Sequence, residues 1–497
     1  MSIRLDGILT DNAVLQRGKP IVVCGSCNCG DEVTVSLYRA ENGFCEEGDP
    51  VRESAAAVEN RRFRVELAPI DEAGGEYYLI ASAGEGAENK RTAKWLTVGD
   101  VYFLAGQSNM ERMVELQGDI SPYNGNPQKT GKHIRGFNYY KTFAGTDRGR
   151  GAETPQNELK NVAGIHWELF DTQDKIAPFS AIGFFFASEL NEKTGVPIGL
   201  ISVAVGGTGI DSWLPGGVYY NSRVYPFRDT AIAGVLWYQG ENDGTSGMPG
   251  PVYAEKQAGL IDEYRRLWKD EELPFYFAEL SRVDVWIREE GNDGRSFDHS
   301  GVRRYQYAVP EMVKTKKKVA LIPTVDLFGT FEDNKTFRDT EKYVWAGNAR
   351  HDVHPWFARP LAHRFASAAL KEIYGLDLVC YGPRVREAKK TGSGIEVRFD
   401  VTGSLALLPK ESYCDSVGAA LLADDPADQP GEFELSADGE HWTGAEAEIT
   451  APDRITVKDA GVPGAKFVRY CGRSYPEKTN VTDQSGIVAY SFEIEIR

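Results

Sequence analysis

The segment Val101-Tyr-Phe-Leu-Ala-Gly-Gln-Ser-Asn-Met110 decides how the fold of this chain is interpreted. Its first five residues, with Asp100 before them, form an apolar run that is typical of a buried strand, and Gly106 ends that run. Ser108 follows in a turn-like context, where Gly, Ser and Asn are common for conformational reasons alone. A serine at a strand end also suits a nucleophile. The segment by itself leaves both interpretations open.

Around this segment, residues 98–374 alternate between apolar strands and helices. After the run that ends at Gly106, the predicted strands are 198–205, 233–238, 274–279 and 318–325, and the predicted helices are 180–193, 253–268 and 355–374. Such alternation predicts a parallel sheet that is covered by helices on both faces. Ligands bind beyond the carboxyl ends of strands in such sheets. Polar or Gly-rich segments follow the strands here, so we expect a functional site at that edge.

Strand-and-turn patterns flank this unit on both sides. Residues 1–97 contain short β-rich runs at 20–24, 32–38, 62–67 and 76–81, and residues after 375 contain runs at 394–399, 432–436, 454–457 and 466–470. A chain of 497 residues is too long for one hydrophobic core. We therefore predict an N-terminal β-sandwich-like domain at 1–97, an α/β domain with the functional site at 98–374 and a C-terminal β-domain at 375–497.

Composition narrows the class of protein. The net charge of −17 argues against a nucleic-acid or anionic-membrane partner, because phosphates would be repelled. The longest apolar runs, such as 181–187, fall short of the roughly 20 residues of a membrane span. The first residues lack the apolar stretch of a signal peptide, so a cytoplasmic location is expected. Nothing in the sequence indicates the oligomeric state.

Seven cysteines raise the question of a metal site. Cys24, Cys27 and Cys29 lie close together, but no second Cys or His cluster nearby would complete four ligands. Reduced structural thiols are the better interpretation. We predict no metal.

A catalytic serine needs a base, and His351-Asp-Val-His354-Pro355 is the best-placed candidate. It follows the fifth strand and opens the last helix, so it could fold back over the end of the first strand. Asp352 could orient the imidazole of His354 and stabilise its cation. A helix start explains the same residues equally well, because Asp caps helices and Pro suits their first turn.

Acyl transfer also needs hydrogen-bond donors for the oxyanion. Gly206 and Gly207 follow the second strand, and Gln239 follows the third. Each has a structural alternative, since Gly pairs form turns and Gln239 could satisfy local backbone groups. Taken together, a nucleophile, two donors and a base at the ends of four strands of one parallel sheet (the first, second, third and fifth) predict an acyl-transfer site.

Four blocks resemble the sialate O-acetylesterase family of the SGNH-hydrolase superfamily. They are Gly106-Gln-Ser-Asn-Met110, Val205-Gly-Gly-Thr-Gly-Ile-Asp-Ser-Trp213, Trp237-Tyr-Gln-Gly-Glu-Asn-Asp243 and Asp352-Val-His-Pro355. Segments 12–17, 30–35, 179–187 and 480–486 extend the likeness over nearly the whole chain. The resemblance implies an α/β SGNH-hydrolase (flavodoxin-like) fold, with a three-layer parallel sheet core flanked by N-terminal and C-terminal β-domains. It implies hydrolysis of an acetyl ester on a sugar, without a cofactor.

The resemblance also implies roles for single residues. Ser108 would be the nucleophile and His354 the base, and the amides of Ser108 and of Gly206 or Gly207 would bind the oxyanion with Gln239. Asp352 stands two residues before His354, whereas the superfamily usually has three, so a backbone carbonyl could orient the imidazole instead. Candidate substrate-side residues, with Asn242 also a second-choice oxyanion donor, are Gln107, Asn109, Trp213, Glu241 and Asn242.

Several functions remain open at this point. O-acetylated sialic acid is the leading substrate, and acetylated xylan-, mannan- or xyloglucan-derived oligosaccharides are the alternative. A sialate enzyme should offer a cation to the substrate carboxylate, for which Arg112, Arg135 and Arg223 are available. A glycan-binding protein with an inactive core is an alternative of another class. Glycoside hydrolysis by Glu241 and Asp243 lacks a second acidic segment.

Overall fold

The computed structural model describes most of the chain. The described residues are 3–40, 48–84, 86–116, 133–139, 165–283, 286–287, 295–296, 298–327, 343–344, 353–354, 358–408, 429–459, 461–476 and 478–497. Within these ranges, no helix is long and apolar enough to cross a membrane. Five cysteines fall in the same ranges, and all five are free thiols.

The described residues of the N-terminal region, 3–40, 48–84 and 86 onward, form eight strands. In the run at 62–67, Phe63, Val65 and Leu67 are buried while the residues between them are exposed, as expected for a strand with one face on a core. All four β-rich runs predicted in this region form strands. The strands are β1 Ile3–Leu5, β2 Val14–Gln16, β3 Ile21–Cys27, β4 Glu32–Arg39, β5 Arg52–Ala57, β6 Arg62–Leu67, β7 Gly74–Ser82 and β8 Lys90–Gly106.

Strand β8 connects the N-terminal strands to the α/β sheet. Its first half pairs with β7 and β2, and its second half, from about Asp100, lies in the middle of the α/β sheet. It runs without a break through the predicted boundary at residue 97. One hydrophobic core accordingly spans both regions.

The predicted parallel sheet is present. Its strands lie in the order β10-β9-β11-β8-β12-β13-β16, and all are parallel except β10. The bounds of the strands in this part of the chain are β9 Ile134–Asn138, β10 Glu168–Leu169, β11 Ile198–Ser202, β12 Gly234–Tyr238, β13 Phe275–Ala278, β14 Trp286–Ile287, β15 Arg295–Ser296, β16 Val319–Ile322 and β17 Tyr343–Val344. Strand β9 was not predicted.

The strand order indicates where in the sheet the expected binding site lies. The five predicted strands follow the order second, first, third, fourth, fifth, which is the flavodoxin-like order. The direction of winding reverses at β8. Sheets of this kind bind ligands at the carboxyl ends of the strands beside such a reversal. Ser108 follows the carboxyl end of β8.

Helices cover both faces of the sheet, because the right-handed crossovers on the two sides of β8 lie on opposite faces. The third helix begins after Ser180, whose hydroxyl accepts the Gly183 N–H at 3.2 Å, and ends at Gly195, whose φ is 71°. The helices are α1 Ser108–Glu111, α2 Gln173–Ile176, α3 Ala181–Thr194, α4 Glu241–Thr245, α5 Gly250–Trp268, α6 Ser300–Gln306, α7 Val309–Met312 and α8 Ala358–Glu372, with a π-helix at Tyr220–Val224.

Outside the gaps at 409–428, 460 and 477, the C-terminal region forms two four-stranded sheets, β18-β19-β24-β23 and β22-β21-β25-β27, and a β20–β26 pair. It has a separate hydrophobic core. The buried Arg303 joins it to the α/β region by donating to the carbonyl of Cys471 at 3.1 Å. Its strands are β18 Arg384–Thr391, β19 Gly394–Asp400, β20 Ala406–Leu407, β21 Phe433–Ser436, β22 Thr443–Gly444, β23 Ala447–Ala451, β24 Arg454–Val457, β25 Phe467–Tyr470, β26 Val481–Thr482 and β27 Phe492–Glu495.

Candidate active site

The turn that carries Ser108 requires a glycine before it. Gly106 has a φ of 132°, and a Cβ built on it would lie 2.1 Å from the main-chain oxygen of Tyr238. The next residue, Gln107, donates its N–H to that same oxygen at 2.8 Å. The chain therefore leaves β8 in close contact with β12, and Ser108 begins α1 at the edge of the sheet.

Ser108 and His354, which are 246 residues apart in the chain, lie in contact. Their Oγ and Nε2 atoms are 2.8 Å apart, which is hydrogen-bond distance. Such a contact between a serine and an imidazole is what general-base activation of a hydroxyl requires. Asp352, predicted to orient the imidazole, lies outside the described residues, so that role stays a prediction.

Gly206 and Gly207 have different environments in the structure. Gly206 donates its N–H to the carboxylate of Glu111 at 2.7 Å, so this amide is occupied. Gly207 is exposed, has a φ of 73°, and finds no acceptor for its N–H among the described residues. Of the two predicted glycine donors, Gly207 is the one whose N–H has no acceptor within the described residues, and its oxyanion role stays a prediction. Glu111 was not predicted as part of the site, because a single acidic residue among the polar residues after the strand carries no motif signal.

Gln239 has a different environment from the predicted one. It is fully buried, and its Nε2 donates to the carbonyl of Thr208 at 2.8 Å and to the carboxylate of Asp243. Its Oε1 accepts from the hydroxyl of Tyr253 at 2.9 Å. Both ends of the amide are thus used within the protein. The expected oxyanion role is corrected to a structural one, in which Gln239 holds the loop after β11 against α4.

Gln107 was expected to contact substrate, but it also faces inward. Its Oε1 accepts from Gln239 Nε2 and from the main-chain N–H of Asn242, each at 3.3 Å. Gln107 therefore ties the end of β8 to the segment after β12. Asn242 itself is partly exposed, and a Cβ on Gly209 would lie 3.4 Å from its Nδ2, so its amide lies beside the glycine loop.

Asn109 and Glu241 form a buried pair instead of a substrate surface. Asn109 Nδ2 donates to Glu241 Oε1 at 2.6 Å and to the carbonyl oxygen of Val353 at 3.1 Å. Burial raises the pKa of Glu241 to about 7, and the nearby charge of Asp243 adds to this, while the bond from Asn109 opposes it. Both predicted substrate contacts are corrected to internal ones.

Trp213 was a candidate wall for a sugar ring. It is completely buried, its indole N–H donates to Thr208 Oγ1 at 3.0 Å, and it packs edge-on against Trp237 with ring centroids 5.7 Å apart. A side chain without exposed surface cannot stack on a ligand, so Trp213 belongs to the core.

The three candidate cations for a substrate carboxylate are all buried. Arg135 donates to the carbonyls of Asn12 and Trp95, and it lies at the start of β9, at the opposite edge of the sheet from Ser108. Arg223 lies over the ring of Tyr139 at 4.2 Å from the centroid. Arg112, at the end of α1, has 9% of its surface exposed.

Fold and site together define a class of protein. A serine–histidine contact at the carboxyl edge of a flavodoxin-like parallel sheet is the arrangement of SGNH-type esterases. The family model described as "Carbohydrate esterase, sialic acid-specific acetylesterase" matches residues 98–349, about half of the chain. The chain belongs to this family.

The individual proteins to which the chain is similar are consistent with this family assignment. Sialate O-acetylesterases of Pongo abelii and Homo sapiens are 21% and 20% identical over 280 and 283 residues, which are 49% of this chain and 49% of each relative. The chain thus matches about half the length of these curated relatives. The crystal structure of a carbohydrate acetylesterase from Xanthomonas citri matches 99% of both chains with a TM-score of 0.74 at 23% identity, and this likeness shows the fold.

Proposed function

We propose that this chain is a serine esterase that removes acetyl groups from a carbohydrate through an acetyl-Ser108 intermediate. The observation that carries the proposal is the 2.8 Å contact between Ser108 Oγ and His354 Nε2 at the switch point of the sheet. The family, whose members are described as carbohydrate esterases, supplies the kind of ester.

The reaction takes two steps. In the first, Ser108 Oγ attacks the acetyl carbon while His354 Nε2 takes the hydroxyl proton, and the tetrahedral oxyanion turns toward the N–H groups of Ser108 and Gly207. The carbon–oxygen bond to the sugar then breaks, and the sugar oxygen leaves with the proton held by His354. In the second step, His354 takes a proton from water, which attacks the acetyl carbon of acetyl-Ser108. The bond from that carbon to Ser108 Oγ then breaks, His354 returns the proton to Oγ, and acetate leaves.

O-acetylated sialic acid is the leading substrate. The family description and the names of the curated relatives both specify sialate, and these support the proposal at the level of the family. A specific observation favours the alternative, a neutral acetylated oligosaccharide such as one derived from xylan, mannan or xyloglucan. Arg135 and Arg223 already use their guanidinium groups inside the protein, so neither is presented to a substrate carboxylate.

Two other functions find less support. Glu241 and Asp243 are buried, and Asp243 already accepts from Gln239 and from the N–H of Ile210, which does not suit a pair of glycosidase carboxylates that must flank a sugar. A glycan-binding protein with an inactive core has no need of a serine and a histidine in hydrogen-bond contact.

The test is a comparison of wild type and Ser108→Ala. Both are assayed on an aryl acetate, on 9-O-acetylated sialic acid and on acetylated xylo- and manno-oligosaccharides. We expect wild type to hydrolyse the aryl acetate and at least one sugar, and Ser108→Ala to lose both activities. Undiminished aryl acetate hydrolysis by Ser108→Ala would refute the mechanism, whereas turnover of a plant oligosaccharide but not of sialic acid would change only the substrate.

A further inference from the structure

One carboxamide joins the nucleophile turn to the segment that carries the base. Asn109 directly follows Ser108, and its Nδ2 lies 2.6 Å from Glu241 Oε1 and 3.1 Å from the carbonyl oxygen of Val353. These two acceptors use both N–H bonds of the amide nitrogen. Val353 directly precedes His354. The second bond therefore holds the backbone beside the imidazole.

Glu241 decides which way the Asn109 carboxamide faces. The oxygen and nitrogen of an Asn side chain can exchange places by rotation. If they did so here, the amide oxygen would face an oxygen of Glu241 and an oxygen of Val353. All three residues are buried, with 6%, 1% and 7% of their surface exposed for Asn109, Glu241 and Val353. Because water is excluded, the Glu241 oxygen strongly favours the orientation in which nitrogen points to Val353.

We infer that Asn109 is a positioning residue, which holds His354 within reach of Ser108, and that Glu241 orients its carboxamide. The inference rests on the proposed function, in which His354 takes the Ser108 proton. Ser108 and His354 are far apart in the sequence. Their contact therefore depends on the tertiary contacts that hold their two segments next to each other. Neither Asn109 nor Glu241 needs to touch the substrate for this role.

The inference predicts a loss in kcat and not in KM. A misplacement of about 1 Å between reacting groups lowers a rate by about 100-fold. We expect Asn109→Ala to lower kcat on an aryl acetate by about that factor and to leave KM within about twofold. Glu241→Ala, which removes the acceptor that orients the Asn109 carboxamide, should also lower kcat and leave KM within about twofold.

A double variant separates positioning from simple stability. In Asn109→Asp with Glu241→Gln, the new carboxylate at position 109 accepts from the new amide at position 241, which restores that hydrogen bond in the reverse direction. The carboxylate has no N–H to donate to the Val353 oxygen. We expect the melting temperature to recover from its value in Asn109→Asp alone, while kcat stays low. Recovery of kcat together with the melting temperature would overturn the inference.

Asn480→Ala is the matched control. Asn480 is also buried, accepts the Gly431 N–H at 2.9 Å and donates to the carbonyl of Gln429 at 3.1 Å, in the C-terminal region. Its loss should lower the melting temperature and leave kcat unchanged. Equal losses of kcat in Asn480→Ala and Asn109→Ala, or a wild-type kcat in Asn109→Ala, would refute the inference. Failure of the proposed function would differ, since Ser108→Ala would then stay active.

Discussion

The buried carboxyl of Glu241 predicts a pH dependence of folding stability that one substitution should abolish. Burial raises the pKa of this group from its usual 4.5 to about 7. The charged and titratable groups around it include Asp243 on the same helix, Tyr238 at the end of β12 and Tyr253 on α5. Glu241→Gln keeps the shape of the side chain and its acceptor oxygen for Asn109, and it removes the titrating proton.

The sign and size of the effect follow from the two pKa values of Glu241. Below about pH 4.5, this carboxyl is protonated in both the folded and the unfolded chain. Between about pH 4.5 and 7, the unfolded chain has lost the proton and the folded protein still holds it, so the free energy of unfolding falls as the pH rises. The fall is about 1.4 kcal/mol per pH unit, or about 3 kcal/mol in all, and it is complete above about pH 7.

Urea unfolding of wild type and Glu241→Gln at a series of pH values measures this effect. Other titrating groups are common to both proteins, so their contributions cancel in the difference. We expect Glu241→Gln to gain about 3 kcal/mol relative to wild type between about pH 4.5 and pH 8. A difference that stays constant over this range would refute the argument, because it would show that the carboxyl titrates equally in both states.

Three further substitutions test other parts of the structure. Gly106→Ala should lower the free energy of unfolding by more than about 4 kcal/mol, because its Cβ would meet the Tyr238 oxygen; a wild-type thermal melt would contradict this. Gln239→Ala should lower it by about 2–5 kcal/mol in urea, because it strips partners from Asp243 and Tyr253; an unchanged urea midpoint with kcat reduced by about 100-fold or more would favour the oxyanion role instead. Arg303→Met should cost about 3–5 kcal/mol, since it leaves buried carbonyl groups unpaired; a loss below about 1 kcal/mol on urea unfolding would refute this.

Strands and helices that show a clear pattern of apolar residues within their own segment were predicted well from the sequence. The parallel strands after the first have continuous apolar runs, and the structure buries every residue of β11, β12 and β13. The predicted helix at 180–193 corresponds to α3, which ends before Gly195 because glycine adopts the left-handed conformation easily. Strand β9 was missed, because Ile134-Arg-Gly-Phe-Asn138 combines polar residues with a glycine and has no clear period.

The directions of individual side chains were harder to predict. The sequence places Gln107, Asn109, Gln239 and Glu241 at strand ends near the expected site, and the structure does bring them together. Their side chains satisfy one another instead of facing outward, since buried polar groups near a crowded strand edge need partners. Which group faces the opening depends on the packing of several distant segments, and a sequence motif contains no information on that packing.

The proposed catalysis requires Ser108 to be a nucleophile that His354 activates. The most direct test is to treat the protein with a serine-directed organophosphonate and to follow esterase activity and peptide masses together. We predict that activity falls in proportion to labelling of the peptide that contains Ser108, and that His354→Ala slows this labelling strongly. Complete labelling of Ser108 with full remaining activity, or complete inactivation with the label elsewhere, would contradict the account.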